Sequence, residues 1–451
     1  MLVPQALIES LKGVPGFNET SFCNVHASGE QVTSIRFHPQ KKSLIAEPWE
    51  GETIPWCPDG LYLSERPSFT LDPSFHGGGY YVQDASSMFL WQMLQQLVAD
   101  STDKRVLDLC AAPGGKSTLL SSYFKGSLVV SNEVIKSRAS ILVENIVKWG
   151  DENVIVTNND PAHFSSLGNY FDVLVVDAPC SGSGLFRKDP DAVNEWSPEH
   201  VQLCSQRQQR ILSDILPALK EGGILIYATC SYSSEEDEQI ADWLVGGMNM
   251  TSLDITTEES WGVVSTHSVK HNASGYRFYP DRLKGEGFFI AAFQKNNNDA
   301  TSGKGKTASI TKPTRQELEQ INSFISIDAA HHVFKQADQF KLINQKWLDD
   351  LSILAGSLYI RKAGVELGAL KGKDLVPSHE LAVSVIPKTS FNQIQVNKEQ
   401  ALQYLRRQDL SVEAPKGWNL VQFGNLPLGW IKALPNRINN YYPQEWRILK
   451  Q

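Results

Sequence analysis

The chain has little that would confine it to a membrane, a secreted scaffold or a metal centre. No apolar run approaches the ~20 residues that a bilayer-crossing helix needs. The start, Met1-Leu2-Val3-Pro4-Gln5, has neither the basic residues nor the long apolar core of a secretory signal. Six cysteines, at 23, 57, 110, 180, 204 and 230, include no Cys-x-x-Cys pair. A zinc site or disulfide framework is therefore disfavoured, and free thiols in a reducing cytoplasm are expected. An overall excess of positive charge is also missing. The net charge is -8, so a nucleic-acid partner does not show in the total.

The charge is unevenly placed, however. From Pro313 to Gln451 there are 17 Lys and Arg against 13 Asp and Glu, a net of +4, and residues 1–312 carry the remaining -12. Positive charge gathered in the tail suits a polyanion, although a solvated surface has the same signature. At 451 residues with 41% hydrophobic content the chain is globular and too long for one core, so two or three domains are expected.

The most informative stretch is Val106 to Thr118. Val106, Leu107 and Leu109 read as a buried strand, and Lys116 to Phe124 as a helix. Between them Ala111, Ala112, Gly114 and Gly115 carry almost no side chain, so a ligand can approach the backbone. Strand, glycine turn and helix form the front half of a nucleotide-type binding unit. An ATP-binding P-loop is excluded, because it needs glycine five residues before its Gly-Lys pair and Cys110 stands there.

Residues 1–75 read as a small α+β appendage, with a helix over Pro4–Leu11, a strand over Val32–Phe37 and a loop-rich stretch from Pro48 to Pro73. A glycine turn, His76 to Asp84, leads to a helix over Ala85–Ala99. Residues 76–295 then alternate strands (105–110, 127–132, 153–157, 171–177, 223–229) with helices (116–125, 135–149, 197–220, 234–245). Ser197 with Pro198 predicts a helix start, and Ser233 with Glu236 predicts a capping box. Such alternation argues for a parallel sheet with helices on both faces. Gly287 to Phe293 reads as a last edge strand, 296–312 as a polar linker, Thr314–Leu351 as mostly helical, and the rest to 451 as strand-rich.

In an open parallel sheet, ligands sit beyond the carboxyl ends of the strands. This chain puts Cys110, Glu133, Asp160, Asp177 and Thr229-Cys230-Ser231 at those ends. Glu133, eighteen residues after Gly115, suits ribose hydroxyls. Each residue alone reads as an ordinary capped turn; five at one edge argue for a site. Cys180 and Cys230 each follow a core strand and precede a small polar turn. A thiolate is a good carbon nucleophile. Two cysteines at neighbouring strand ends suggest divided roles, without saying which one attacks.

Leu107-Asp108-Leu109-Cys110-Ala111-Ala112-Pro113-Gly114-Gly115-Lys116-Ser117, Asp177-Ala178-Pro179-Cys180-Ser181-Gly182 and Ala228-Thr229-Cys230-Ser231 together resemble the Sun-type family of RNA cytosine-5 methyltransferases. The resemblance continues at Gly79–Ser87 and Arg277–Phe289, and covers most of residues 1–295. The tail, Gly429–Trp446, is similar to the C-terminal RNA-binding domain of the RsmF-like branch, which methylates small-subunit ribosomal RNA.

The resemblance implies an α/β class I (Rossmann-like) methyltransferase sheet between the N-terminal α+β unit and a PUA-like RNA-binding domain at 313–451. It implies S-adenosylmethionine as cofactor, with Cys110, Ala111, Ala112, Pro113, Gly114, Gly115 and Lys116 around its methionine part. Glu133 would hold the ribose, Asp160 the adenine, and Arg138 and Asp177 would complete the pocket. Cys230 would be the nucleophile, Cys180 would aid product release, and Asp177 would hydrogen-bond the ring. The partner would be small-subunit ribosomal RNA, free or in an assembled 30S subunit, with transfer RNA as the rival substrate and a catalytically silent assembly factor as the rival class. One departure is Pro280-Asp281, where the family often has Pro-His. Arg187 and Lys188, just past Cys180, are candidate phosphate contacts or plain surface. No membrane is involved, and a monomer is the default expectation.

Overall fold

A computed structural model describes residues 3–47, 49–296, 305–388 and 391–450. Met1 and Leu2, Pro48, residues 297–304 of the expected linker, Thr389 and Ser390, and Gln451 lie outside the described residues. A first four-stranded antiparallel sheet has β1 (Thr33–Phe37), β2 (Gly51–Thr53), β3 (Gly60–Leu63) and β4 (Tyr80–Val82) in the order β2-β3-β1-β4. Helices Gln5–Leu11 and Glu19–Ser28 precede it. The second of these was not expected from sequence. Its cap is Asn18, whose side chain accepts the Ser21 N–H at 3.1 Å. Tyr80–Val82, which the sequence reading puts after residue 75, completes this first sheet.

The central sheet is built on five parallel strands: β5 (Arg105–Asp108), β6 (Leu128–Asn132), β7 (Val154–Thr157), β8 (Phe171–Asp177) and β9 (Leu219–Thr229). Then come β10 (Met250–Leu253), β11 (Val264–His267), β12 (Ser274–Phe278) and β13 (Phe288–Lys295), all antiparallel. The order runs β11-β12-β13-β9-β8-β5-β6-β7, so Phe288–Lys295 is interior and not an edge strand. Side chains alternate between two cores. Leu107, Val130, Leu174 and Leu225 face helices Pro198–Ile215 and Glu238–Gly247. Val106, Val129, Val173 and Ile224 face helices Leu90–Leu97, Gly115–Tyr123 and Lys136–Trp149. Period-two burial on both faces makes each strand read as a continuous apolar run.

Two helix expectations are corrected. The helix expected over 197–220 spans Pro198–Ile215, capped by Ser197, because Pro217 breaks the turn and Leu219 already pairs with Phe171. The capping box expected at Ser233 does not form: the next helix begins at Glu238, and Glu236 is used elsewhere.

The C-terminal portion holds two four-stranded sheets. One contains β14 (His331–Gln336), β15 (Gln339–Asn344), β17 (Val365–Lys371) and β18 (Asp374–Pro377). The other contains β19 (Asn392–Val396), β20 (Gly417–Phe423), β21 (Leu426–Leu434) and β22 (Arg437–Asn440). Residues 314–351 are therefore not mostly helical. They hold the helix Arg315–Asn322, the hairpin β14–β15, whose turn is made by Ala337 at φ 53° and Asp338, a 3-10 turn at Gln345–Trp347 and the first residues of helix Leu348–Ser357. The described end of the expected linker is packed down: Ala308 N–H donates to Ser352 O at 2.9 Å, and Thr311 bridges Lys335.

This portion is welded to the central sheet. β16 (Ile360–Ala363) pairs antiparallel with β7 and covers an edge that would otherwise expose unpaired backbone groups. Asp350 accepts from Arg105 and Tyr170, each at 2.5 Å. At the junction of all three portions, His76 Nδ1 lies 3.2 Å from the Tyr442 hydroxyl, and the His379 ring packs edge-on against Tyr442 and Trp446.

Burial lowers His76 to about 4 and His379 to about 3, so the folded protein keeps both rings neutral. The unfolded chain takes up protons near the ordinary histidine value, so stability is lost as pH falls from about 6.5 towards 4. For His76 the slope reaches about 1.4 kcal/mol per pH unit. Thermal midpoints followed from pH 8 to 4 are expected to drop across that window, and His76→Gln, which does not titrate, to flatten the drop. An unchanged slope in the variant would contradict this assignment.

Candidate active site

The strand order reverses between β5 and β8, since β6 and β7 lie on one side and β9 on the other. Loops on either side of such a reversal turn to opposite faces and leave a crevice beyond the carboxyl ends. A cavity of about 320 Å³ occupies it. Residues 110–113, Gly115, Lys116, Asp177 and Cys230 line it, with Phe288 from β13. Tyr81, Gln83, Asp84 and Ser87 close it from the first unit, a wall that the sequence reading did not foresee.

The glycine turn works as its residue types predict. Gly114 adopts φ 119°, a conformation that a side chain disfavours, and starts helix Gly115–Tyr123 with no capping side chain. Arg138 Nη2 donates to Ala112 O and Asn145 Nδ2 to Pro113 O, both at 2.8 Å, so the neighbouring helix pins the turn. Beneath it, fully buried Asp108 accepts from the Ser117 hydroxyl at 2.7 Å, and burial pushes its carboxyl up to about 7.

Lys116 Nζ lies 2.7 Å from Asp177 Oδ2 and 5.1 Å from the centre of the Phe288 ring. Burial opposes the ammonium charge, but Asp177, joined by Asp108, offsets it, and the Lys116 pKa is raised. Glu133, Arg138, Asp160 and Cys180 are not part of the cavity wall. Glu133 is 3.7 Å from Arg138 and accepts the Ile135 N–H, so it stands next to the turn that Arg138 holds. Asp160, at the end of β7, accepts the Ala162 N–H at 3.0 Å.

The two cysteines after β8 and β9 meet. Cys180 Sγ and Cys230 Sγ are 2.9 Å apart, and both are free thiols. Of the two, only Cys230 lines the cavity; Cys180 is partly buried and touches it. The hydrogen bond to Cys230, then burial, then the charge of the Cys230 sulfur push the Cys180 thiol well up, so Cys180 keeps its proton.

The group that brings them together is Glu236. Its buried carboxylate accepts the Ser181 N–H at 2.8 Å, the Ser181 hydroxyl at 2.5 Å, the Ser231 hydroxyl at 2.6 Å and Gln208 Nε2 at 3.1 Å. One carboxylate thus clasps the residue after each cysteine. Beside it, Arg277 pairs with Asp237 at 3.2 Å and Glu238 at 2.5 Å. Arg187 is no phosphate contact: it is buried, donates to Glu30 O and faces Glu286 at 3.9 Å. Lys188 is exposed and pairs with Asp84 at 3.3 Å. Asp281 accepts the Ser21 hydroxyl at 2.5 Å, a contact with the first unit.

Three family models match the chain. Residues 95–294 match the 16S rRNA methyltransferase RsmB/F model, 3–85 the N-terminal domain of 16S rRNA methyltransferase RsmF, and 391–448 the methyltransferase RsmF PUA domain. The ribosomal RNA small subunit methyltransferase F of Shewanella loihica is 30% identical over 424 residues, covering 89% of this chain and 85% of that protein. The chain belongs to the small-subunit methyltransferase F family. The same-named protein of Psychromonas ingrahamii is also 30% identical, over 92% of this chain and 90% of its own. Among solved structures, a methyltransferase homolog from Pyrococcus horikoshii superposes with a TM-score of 0.51 at 26% identity, over 65% of this chain and 100% of that one. NSun6 from the same organism, at 19% identity, shares the fold with a TM-score of 0.52 over 65% of this chain and 99% of its own.

As a member of this family the chain is an S-adenosylmethionine-dependent methyltransferase with a C-terminal PUA domain. The cavity fits that cofactor. Ala111, Ala112 and Phe288 give it apolar walls, and the uncapped helix start at Gly115 leaves backbone N–H donors for a carboxylate.

Removing the Glu236 carboxylate leaves four donors without their acceptor. Glu236→Ala is expected to cost about 3 kcal/mol, the scale of charged hydrogen bonds lost from a buried site. Glu236→Gln, which still accepts, is expected to cost less than half of that. Urea midpoints measure both, and equal midpoints for Ala and wild type would refute the clasp.

Proposed function

We propose that the chain methylates carbon 5 of cytosine in small-subunit ribosomal RNA, with Cys230 as the nucleophile and Cys180 as the residue that frees the product. The observation that carries this reading is the pair of sulfurs 2.9 Å apart, with one of them on the cavity wall beside Lys116 and Asp177. Two thiols so placed suit a reaction that must add to a ring and then leave it.

Bound S-adenosylmethionine supplies an electrophilic methyl group. The chain's task is to make carbon 5, a poor nucleophile, reactive, and then to restore the ring. Cys230 Sγ as thiolate adds to carbon 6; the S–C6 bond forms and the ring double bond shifts its electrons towards carbon 5 and N3. The Lys116 ammonium, paired with Asp177, stabilises the negative charge that develops on the ring, and the Asp177 carboxylate accepts a hydrogen bond from the exocyclic amino group. After methylation a base removes the carbon-5 proton, the C5–C6 double bond re-forms and the Cys230 sulfur leaves.

Cys180 suits that second step for a physical reason. Its proton is held first by the hydrogen bond to Cys230 and also by that sulfur's charge. Once Cys230 becomes a thioether, both influences fall away and Cys180 becomes easier to ionise. Cys180 thus turns into a base only after Cys230 has reacted. The cytosine must be unstacked to reach the cavity, at a cost of a few kcal/mol. Binding by the PUA domain, in the portion with net +4, offsets that cost. With six free thiols and a ribosomal RNA substrate, this reading puts the reaction in a reducing cytoplasm.

Purified protein with methyl-labelled S-adenosylmethionine is expected to label 16S RNA, offered free or as 30S subunits, and bisulfite mapping to find a protected cytosine. Label confined to transfer RNA would overturn the substrate, and label at any atom other than carbon 5 would overturn the chemistry. Cys230→Ala is expected to abolish transfer while S-adenosylmethionine still binds. Cys180→Ala is expected to accumulate a covalent protein–RNA adduct, visible as a denaturant-resistant band. Normal turnover by Cys180→Ala would refute the division of roles.

A further inference from the structure

The cofactor cavity has a wall that belongs to the first unit, and behind that wall sits an unusual cation. Arg36, on β1, is 1% exposed. Its guanidinium packs on the Trp149 ring at 4.6 Å. Nη2 donates to the Thr118 hydroxyl at 2.6 Å and to Gly115 O at 3.3 Å, in the first turn of the helix that follows the glycine loop. Nε donates to Gln83 Oε1 at 2.8 Å, and Nη1 has no hydrogen-bond partner. Among the described residues no carboxylate pairs with it. Asp59 and Asp151 act only from a distance, and Asp151 is engaged by His38 and Ser121. Burying a guanidinium without a counter-charge is costly.

Gln83 translates this charge into geometry. Arg36 claims its carbonyl oxygen, so the amide nitrogen is turned the other way, where it donates to Ser87 Oγ at 3.3 Å. Gln83 lines the cavity, and its side chain lies against Gly115, where an added Cβ would stand 3.6 Å from it. The second N–H of that amide is the donor left for the cavity. The uncapped helix start at Gly115 faces the same space. Backbone donors, an oriented amide and a buried cation one layer behind all favour negative charge at a single place.

We propose that Arg36 and Gln83 are positioning residues for the carboxylate of the methionine part of S-adenosylmethionine, so that the first unit completes the cofactor site. The carboxylate is the counter-charge that Arg36 lacks within the protein, and Gln83 is the side chain that meets it. The glycine loop then supplies shape, and the first unit supplies discrimination between ligands with and without the carboxylate. The inference rests on cofactor use alone, not on the cytosine chemistry, so it can fail or stand independently of that reading.

The test is isothermal titration calorimetry on the full chain with S-adenosylmethionine and with decarboxylated S-adenosylmethionine, which lacks only the carboxylate. Wild type is expected to prefer the first. Gln83→Leu is expected to weaken S-adenosylmethionine about tenfold, or about 1.4 kcal/mol, and the decarboxylated ligand less than about twofold. Arg36→Lys, which keeps the charge but not the grip on Gln83, is expected to show the same split to a smaller extent. If Arg36→Lys fails to fold, as its thermal midpoint will tell, Gln83→Leu decides alone. Equal losses for both ligands, or unchanged affinity for S-adenosylmethionine, would overturn the proposal.

Discussion

The active edge of this protein depends on one buried carboxylate. Glu236 accepts from Ser181, Ser231 and Gln208, and so joins the loop after β8 to the loop after β9 and to the long helix Pro198–Ile215. With the bonds from Gly184 N–H to Cys230 O and from Tyr232 N–H to the Ser183 hydroxyl, both at 2.9 Å, it holds Cys180 and Cys230, fifty residues apart, in contact. A carboxylate in such a place must be fully hydrogen-bonded, since a buried charge left short of partners is expensive. Here that cost is met by the donors whose positions matter for the chemistry. Stability and site geometry are therefore the same set of bonds.

The cofactor side is organised by the opposite means. Its turn has almost no side chains of its own, and is held from outside by Arg138, Asn145 and, through Gly115, Arg36. A loop stripped for ligand access cannot stiffen itself, so neighbouring elements do so. Two of those holders are on helix Lys136–Trp149 and one is on the first unit. The C-terminal portion joins the arrangement by adding β16 to the sheet edge beside β7, where Tyr359 O accepts from Asn158 N–H at 3.1 Å. All three portions thus touch strands or loops that lead to the site, which gives RNA-binding and catalytic parts a fixed relation.

Much of this was legible in the sequence, and the reasons for the exceptions are specific. The parallel strands announced themselves because both faces are buried and their central positions, such as Val106-Leu107, Leu128-Val129-Val130 and Val173-Leu174-Val175-Val176, are apolar. Helix Pro198–Ile215 was visible from Ser197-Pro198, yet its end was misjudged because Pro217 lies in a 3-10 turn that sequence pattern does not separate from the helix. The hairpin β14–β15 was read as helix because its turn, Ala337-Asp338, has no glycine, and Ala337 takes the left-handed conformation that glycine usually marks. Glu236 looked like a capping residue, since its spacing from Ser233 is right; a stronger claim came from serines across the sheet. Arg187 looked like a surface cation beside the Cys180 loop, and is instead buried opposite Glu286.

The sequence by itself determined the local chemistry: a strand, a glycine turn and a helix at 106–124, two cysteines at strand ends, and the family to which these motifs belong. These depend on neighbours along the chain, where spacing and residue type are enough. Tertiary structure alone decided that Cys230 lines the cavity with Cys180 in contact with it, that Glu236 unites their loops, and that Arg36 reaches across to Gln83 and Thr118. Each of these is a contact between elements that are separate in sequence. Which partners a buried charge finds depends on how the sheets and helices pack, and no periodicity within a segment encodes that.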